Sequence, residues 1–308
     1  MSGMIFRDAQ QAIGFVTPAL YRTHAKVLET EYPSFDYAGL VPVNSEGDMW
    51  DVGTLVYSGD YAGAADFLSG KGFDVPNVSA NFSQGISNFH LAGAGYELSL
   101  REVNRASRMG VLIDTRLASA ARLTSEQFIY NRVIRGSTEK NTTGLINNAS
   151  VPTANATTGS WGTATPAQML GDINVALNDV ITNTRETSIP NALLLPTSAF
   201  LTANNAQMPS VGMSVLTFLK MNNSYTAMTG NPLDIRASRE LETAGASSTR
   251  RMVAYEKADD NMEFFLPGLY EFLPAFPISS MSWRVDGIMN VGQLEIYRPK
   301  TLSYRDGI

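Results

Sequence analysis

Ser99-Leu100-Arg101-Glu102 opens the longest periodic stretch of the chain, which runs on to Arg135-Gly136. These four residues form a capping box. The Ser99 hydroxyl is placed to accept from the third helical N–H, while the Glu102 carboxylate reaches back to the first residue. Leu100, Val103, Ala106, Gly110, Ile113, Leu117, Ala120, Thr124 and Phe128 then recur at spacings of three and four, which predicts one helical stripe. Gly136 supplies the C-terminal stop. An uninterrupted helix over 99–135 is about 55 Å long at ~1.5 Å per residue, far beyond the usual ~11–12 residues. Many stripe residues are small, so the pattern calls for something packed close against it.

The same stretch carries Arg101, Arg105, Arg108, Arg116, Arg122, Arg132 and Arg135 and no lysine, against Glu102, Asp114 and Glu126. Two readings stand side by side. The arginines form an ordinary solvated face, or they make bidentate pairs with carboxylates of neighbouring subunits, for which the planar guanidinium fork is suited.

Upstream, residues 40 to about 95 are glycine-rich and strand-like. Met49 to Tyr57 and Val78 to Leu91 flank a tip from Gly59-Asp60-Tyr61-Ala62-Gly63 to Gly70-Lys71-Gly72-Phe73, which fits a long two-stranded ribbon. Such a ribbon is marginal in water alone and must lie on its own domain or on a neighbour. Residues 1 to about 38 read as an arm, with a short helix from Pro18 to Glu29 capped by Thr17.

Downstream, Gly144-Leu145-Ile146-Asn147 leads into a Thr/Ala/Asn/Ser-rich stretch, Asn148 to Gly162, expected to be an exposed connector. Thr165-Pro166 caps a helix with the stripe Met169, Ile173, Ala176, Leu177, Val180 and Ile181. Ala192 to Leu195 reads as a buried strand, Ser198 to Ala206 and Val215 to Met221 as helices, and Asp234 to Arg236 and Met252 to Tyr255 as strands. The tail from Met262 to Ile308 is strand-like. This is mixed α/β patterning.

Composition narrows the function. Charged residues make up 17% of 308, below the roughly 25% usual for soluble domains, which points to surface buried in contacts. With no cysteine, disulfides, thiolate metal sites and Cys nucleophiles are excluded. His24 and His90 have no ligand spacing, and no P-loop, dinucleotide fingerprint or nucleophile elbow is present. Asp259-Asp260 is the one carboxylate pair that invites a glycosidase reading, and adjacent acids in a polar stretch more simply make a solvated turn. A net charge of −6 gives no field for nucleic acid, no apolar run reaches membrane length, and the N-terminal residues lack a secretory pattern. These features predict no enzyme, no cofactor and no metal.

Taken in order, the arm, ribbon, long helix, Gly-Leu-Ile-Asn and α/β region resemble the major capsid proteins of tailed bacteriophages over nearly the whole chain. Three places carry the resemblance: Tyr96 to Glu102; Glu126-Gln127-Phe128-Ile129-Tyr130 through Gly136 with Gly144 to Asn147; and Leu294-Glu295-Ile296-Tyr297-Arg298-Pro299-Lys300 to Ile308. It implies an α+β capsid fold. Residues 1–38 form the N-terminal arm and 39–95 the extended β-hairpin loop with its flanks. Residues 96–154 form a peripheral domain with spine helix 99–135, 155–262 an α/β axial domain, and 263–308 strands returning to the periphery. It further implies inter-subunit contacts at Trp50, Tyr57, Tyr61, Phe67, Lys71, Phe73, Arg101, Arg105, Arg108 and Arg116. The expected partners are copies of the chain in pentamers and hexamers, with scaffolding, portal and decoration proteins. Packaged double-stranded DNA lies near without specific contacts. Virion localisation after assembly in the bacterial cytoplasm follows, and no charged helical extension precedes Met1 to act as a fused scaffold.

Some members of this fold join subunits through a loop lysine, an asparagine and a glutamate. Lys71 stands where such a lysine would, but no asparagine or glutamate can be matched, so an ordinary solubilising lysine is the expectation. Two rivals remain: an encapsulin-like nanocompartment subunit, which shares the fold, and a carbohydrate-active enzyme using Asp259 and Asp260.

Overall fold

A computed structural model describes residues 35–63, 77–109, 113–209 and 212–308, with backbone alone for 60–62, 105–109 and 113–114. The arm helix expected at Pro18–Glu29 and the ribbon tip lie outside the described residues. Along the chain come β1 (Val43–Asn44), β2 (Gly53–Ala62), β3 (Ser79–Asn88), β4 (His90–Ser99), α1 (Leu100–Met109) and α2 (Ile113–Arg135). Next are β5 (Gly136–Ser137), β6 (Thr142–Thr143), β7 (Thr153–Asn155), α3 (Pro166–Asn183), β8 (Ala192–Pro196), α4 (Thr197–Asn205), α5 (Val215–Met221) and α6 (Ser224–Thr229). The rest is β9 (Asp234–Ser238), β10 (Arg251–Tyr255), β11 (Met262–Phe265), β12 (Gly268–Phe272), β13 (Phe276–Ser279), β14 (Ser282–Val291), β15 (Leu294–Ile296) and β16 (Leu302–Asp306). None of the described helices is long and apolar enough to cross a membrane.

A five-stranded sheet, β7-β16-β10-β8-β9, is the wall between two apolar cores. Side chains alternate across a strand. Leu193 and Leu195 of β8 and Met252 and Ala254 of β10 therefore join Ile173, Leu177, Val180, Leu216 and Leu219 in one core. Ala192 and Leu194, with Val253 and Tyr255, join Ile129, Val133, Leu145, Phe264 and Tyr304 in the other. A strand buried on both faces loses its polar alternation, hence the unbroken Ala-Leu-Leu-Leu-Pro of β8.

Helix α3 covers the first face. Thr165 Oγ1 accepts from the Gln168 N–H and the Gln168 side chain accepts from the Thr165 N–H, completing a capping box ahead of Pro166. Its expected stripe is buried at Met169, Ile173, Ala176, Leu177 and Val180, while Ile181 is only half-buried.

The stretch after α2 is exposed over most of its length, as expected of a connector, but it is anchored at two buried points and by one edge strand. Val151 and Trp161 are fully buried, the indole N–H donates to Asp172 Oδ2 at 3.0 Å, and β7 pairs with β16 inside the large sheet. Thr, Asn and Ser dominate the composition here and stay largely exposed, while one tryptophan with a carboxylate acceptor pins the segment to the core.

Helices α1 and α2 stand on either side of residues 110–112, which lie outside the described residues, so one continuous helix over 99–135 is not traced. The capping box at its start is present: Ser99 Oγ accepts from the Glu102 N–H at 3.2 Å, and Glu102 Oε2 accepts from the Ser99 hydroxyl at 2.8 Å. The apolar stripe is displaced by one residue. Ala121, Ser125, Ile129 and Val133 are buried, whereas Ala120 and Thr124 are exposed and Leu117 and Phe128 half-buried. The buried Ser125 hydroxyl donates to the Ala121 carbonyl at 2.9 Å, which satisfies it locally and lets a polar residue occupy the core line.

The Gly-Leu-Ile-Asn sequence finishes α2. Gly136 takes φ +68°, the β5–β6 hairpin turns the chain back, and the Leu145 and Ile146 N–H groups donate to the Val133 and Ile134 carbonyls. Asn147 donates to the Arg135 carbonyl at 2.9 Å and accepts from the Gly144 N–H at 2.7 Å. The helix's last carbonyls thus find partners.

Candidate assembly surfaces

The two-stranded ribbon is present, but its first strand starts later than the expected Met49 and runs through Gly59–Ala62, which the sequence placed in the tip. β2 and β3 pair antiparallel over ten residues each, from Gly53↔Asn88 to Ala62↔Ser79. Val78 to Leu91 does not run as one strand. Phe89, whose N–H donates to the Val52 carbonyl, separates β3 from β4, and β4 pairs along its whole length with β14.

Directly paired residues share a face of an antiparallel ribbon. One face carries Thr54, Val56, Ser58, Ser83 and Ser87, with Ser58 and Ser83 hydroxyls 2.6 Å apart, and borders an open cleft shared with Glu295 and Tyr297. The other face carries Leu55, Tyr57, Phe82 and Ile86. Tyr57 is 68% exposed and Phe82 73%. Trp50, in the turn before β2, is 68% exposed as well. This distribution is inverted for a free monomer, whose ribbon would turn its apolar face to the body.

Of the contact residues expected from sequence, Trp50 and Tyr57 are exposed; Phe82 and Ile86, exposed on the same ribbon face as Tyr57, were not among those expected. Alternation on β3 was the available signal. Tyr61 lies on β2 with its backbone alone described, while Phe67, Lys71 and Phe73 fall outside the described residues. Arg101 is exposed on α1 and Arg116 is exposed on α2; Arg105 and Arg108 lie on α1 with backbone alone described. The arginine series divides in the structure. Arg122 stacks 5.6 Å from the Phe272 ring centroid and Arg135 reaches Glu240 at 2.5 Å, so those two serve their own chain.

A second set of exposed apolar residues lies on and between the short helices α4 to α6. Leu201, Met213, Met221 and Met228, from α4, α5, α6 and the turn between α4 and α5, are each more than one-third exposed. A third is the β12–β14 end, with Leu269, Phe276, Ile278 and Met281.

The interior is held by a buried ion pair. Arg251 donates to both Asp306 carboxylate oxygens, at 2.6 and 2.8 Å, and to the Ile146 carbonyl at 2.7 Å. Its guanidinium lies 4.5 Å from the Tyr304 ring centroid, and the Tyr304 hydroxyl donates to the Leu145 carbonyl. Burial raises the Asp306 pKa, but the Arg251 and Ala246 hydrogen bonds outweigh it and hold the carboxyl below its ordinary value.

Asp259 and Asp260 stand exposed on a turn beside the ribbon cleft. A glycosidase acid is held in apolar surroundings, which this turn does not supply. Among the described residues no group of three His, Asp or Glu side chains is arranged to hold a metal.

Ribbon, long helices and double core together make the fold of viral shell proteins. The capsid of Myoviridae phage XM1 matches with a TM-score of 0.82 at 15% identity, covering 100% of both chains. The capsid of an empty GTA particle matches at 0.63 and 9%, over 96% of this chain and 97% of that one. A virus-like particle from Pyrococcus furiosus matches at 0.50 and 12%, over 86% and 90%. No curated protein matches the sequence. The sequence model of the Major capsid protein family covers residues 63–308, most of the chain, and the chain belongs to that family. Its family and fold are those of a structural capsid protein, not of an enzyme.

Proposed function

We propose that the chain is the head-shell subunit of a tailed bacteriophage, closing as pentamers and hexamers into an icosahedral shell around double-stranded DNA. The observation that carries the reading is the ribbon whose apolar face, with Tyr57 and Phe82, points away from its own body. In a shell that face lies on the next copy, a head-to-tail contact that closes by rotation. Residues 39–95 are then the reaching loop, and 1–38 the arm. Residues 96–154 with 263–308 form the peripheral domain and 155–262 the axial domain, which presents Met221 and Met228 toward the capsomer axis.

Assembly takes place in the host cytoplasm with scaffolding and portal proteins, and decoration proteins bind afterwards. The DNA is held by confinement, since 23 basic against 29 acidic residues leave few cations for phosphates. The rival nanocompartment has the same fold with protein cargo. Nuclease-treated particles from infected cells, extracted and run on gels, separate the two: protected double-stranded DNA is expected, and a packaged enzyme without DNA would replace this reading.

A further inference from the structure

A cavity of about 210 Å³ lies between β4, α2, the β5–β6 hairpin and the turn after β14. Leu91, Ala92, Phe128 and Val291 supply apolar wall, and His90, Arg132, Lys140 and Glu139 the ionisable groups. Arg132 is half-buried, with its guanidinium 4.7 Å from the Phe128 ring centroid. Among the described residues neither the half-buried Arg132 nor the exposed Lys140 has an ion pair within 4.0 Å, whereas Arg251 and Arg305 each hold a carboxylate. Burial draws the Arg132 pKa down despite the pull of Glu139. Burial first, then Lys140 and Arg132, also push the His90 imidazole below its ordinary value, and the cavity wall carries the two cations Arg132 and Lys140 against the one acid Glu139.

A guanidinium taken part-way out of water with Glu139 near but no carboxylate in contact is under-compensated, and a carboxylate in contact is the group that relieves it best. We propose that this cavity is a socket for a carboxylate side chain of a second copy of the chain. The apolar walls suit the methylene stem of an Asp or Glu. A second copy has acids to give: the chain carries six more acids than bases, by 29 − 23, and Asp259 and Asp260 stand exposed without an ion pair among the described residues. The inference rests on the shell reading.

The test is a cryo-electron-microscopy map of wild-type shells, together with assembly of Arg132→Gln and Arg132→Lys subunits. A neighbouring copy's carboxylate within 4 Å or so of Arg132 inside the cavity is expected. Arg132→Gln should raise the subunit concentration needed for assembly at least about tenfold, with Arg132→Lys recovering most of it. Solvent alone, a carboxylate of the same chain or a phosphate in the cavity would overturn the proposal. So would Arg132→Gln subunits that keep the wild-type melting temperature and assemble as wild type. If wild-type chains form no shell under any condition, it is the proposed function that fails, so the two failures are separable.

Discussion

Gly144 has no room for a side chain. A Cβ there would sit 2.3 Å from the Ile134 carbonyl oxygen, because the chain returns against the last turn of α2 to satisfy its carbonyls. Gly144→Ala should therefore destabilise the subunit by about 1–3 kcal/mol, measured by urea unfolding, since backbone and not a flexible side-chain end must move. The Arg251–Asp306 pair is the other residue on which much depends. Asp306→Ala leaves a guanidinium buried without its counter-charge, and a loss of about 3–5 kcal/mol is expected. The pair also sets a pH response. A carboxyl whose folded pKa lies below its unfolded value near 3.8 stabilises fully above that value, and the contribution disappears as pH falls through the folded pKa. Wild type should lose stability below about pH 4 more steeply than Asp306→Asn, and parallel acid-unfolding curves would argue against this. Neither residue was singled out from sequence. Gly144 belongs to a quoted motif, but its steric role depends on a carbonyl ten residues earlier, and Arg251 and Asp306 meet only through the register of β10 and β16.

Among elements, those fixed by local chemistry were legible. The Thr165–Gln168 box and the three-four spacing after Pro166 located α3, and the Ser99–Glu102 box located the start of α1. What failed was phase and burial. The buried line of α2 runs one position later than expected, through Ser125 instead of Thr124, and the Ser125 hydroxyl is satisfied within the helix. The ribbon was visible as two β-rich flanks around glycines, but which face looks outward depends on pairing between β2 and β3. That face gives the sharpest test at this scale. Replacing Tyr57 and Phe82 together by Ser should change subunit stability by no more than about 0.5 kcal/mol each, because both are largely exposed. The same double variant should fail to form shells by sedimentation. A subunit that unfolds, or shells in normal yield, would place the ribbon's apolar face against its own body instead.

At the scale of the whole molecule, the central sheet makes one folded unit of two cores and leaves three apolar areas uncovered. A chain with 17% charged residues and aromatic rings on the outside of a ribbon is poorly suited to life as a monomer. Among the described residues, sequence order conveyed the succession of ribbon, helix and α/β region along the chain. The partition between the two cores was not legible, because it is made by alternate residues of the same strands β8 and β10. The account rests on assembly, and electron microscopy of the purified protein, alone and with any scaffolding protein encoded beside it, tests that most directly. Closed icosahedral shells, or uniform pentamers and hexamers, are the expected result; a well-behaved monomer under both conditions would contradict it.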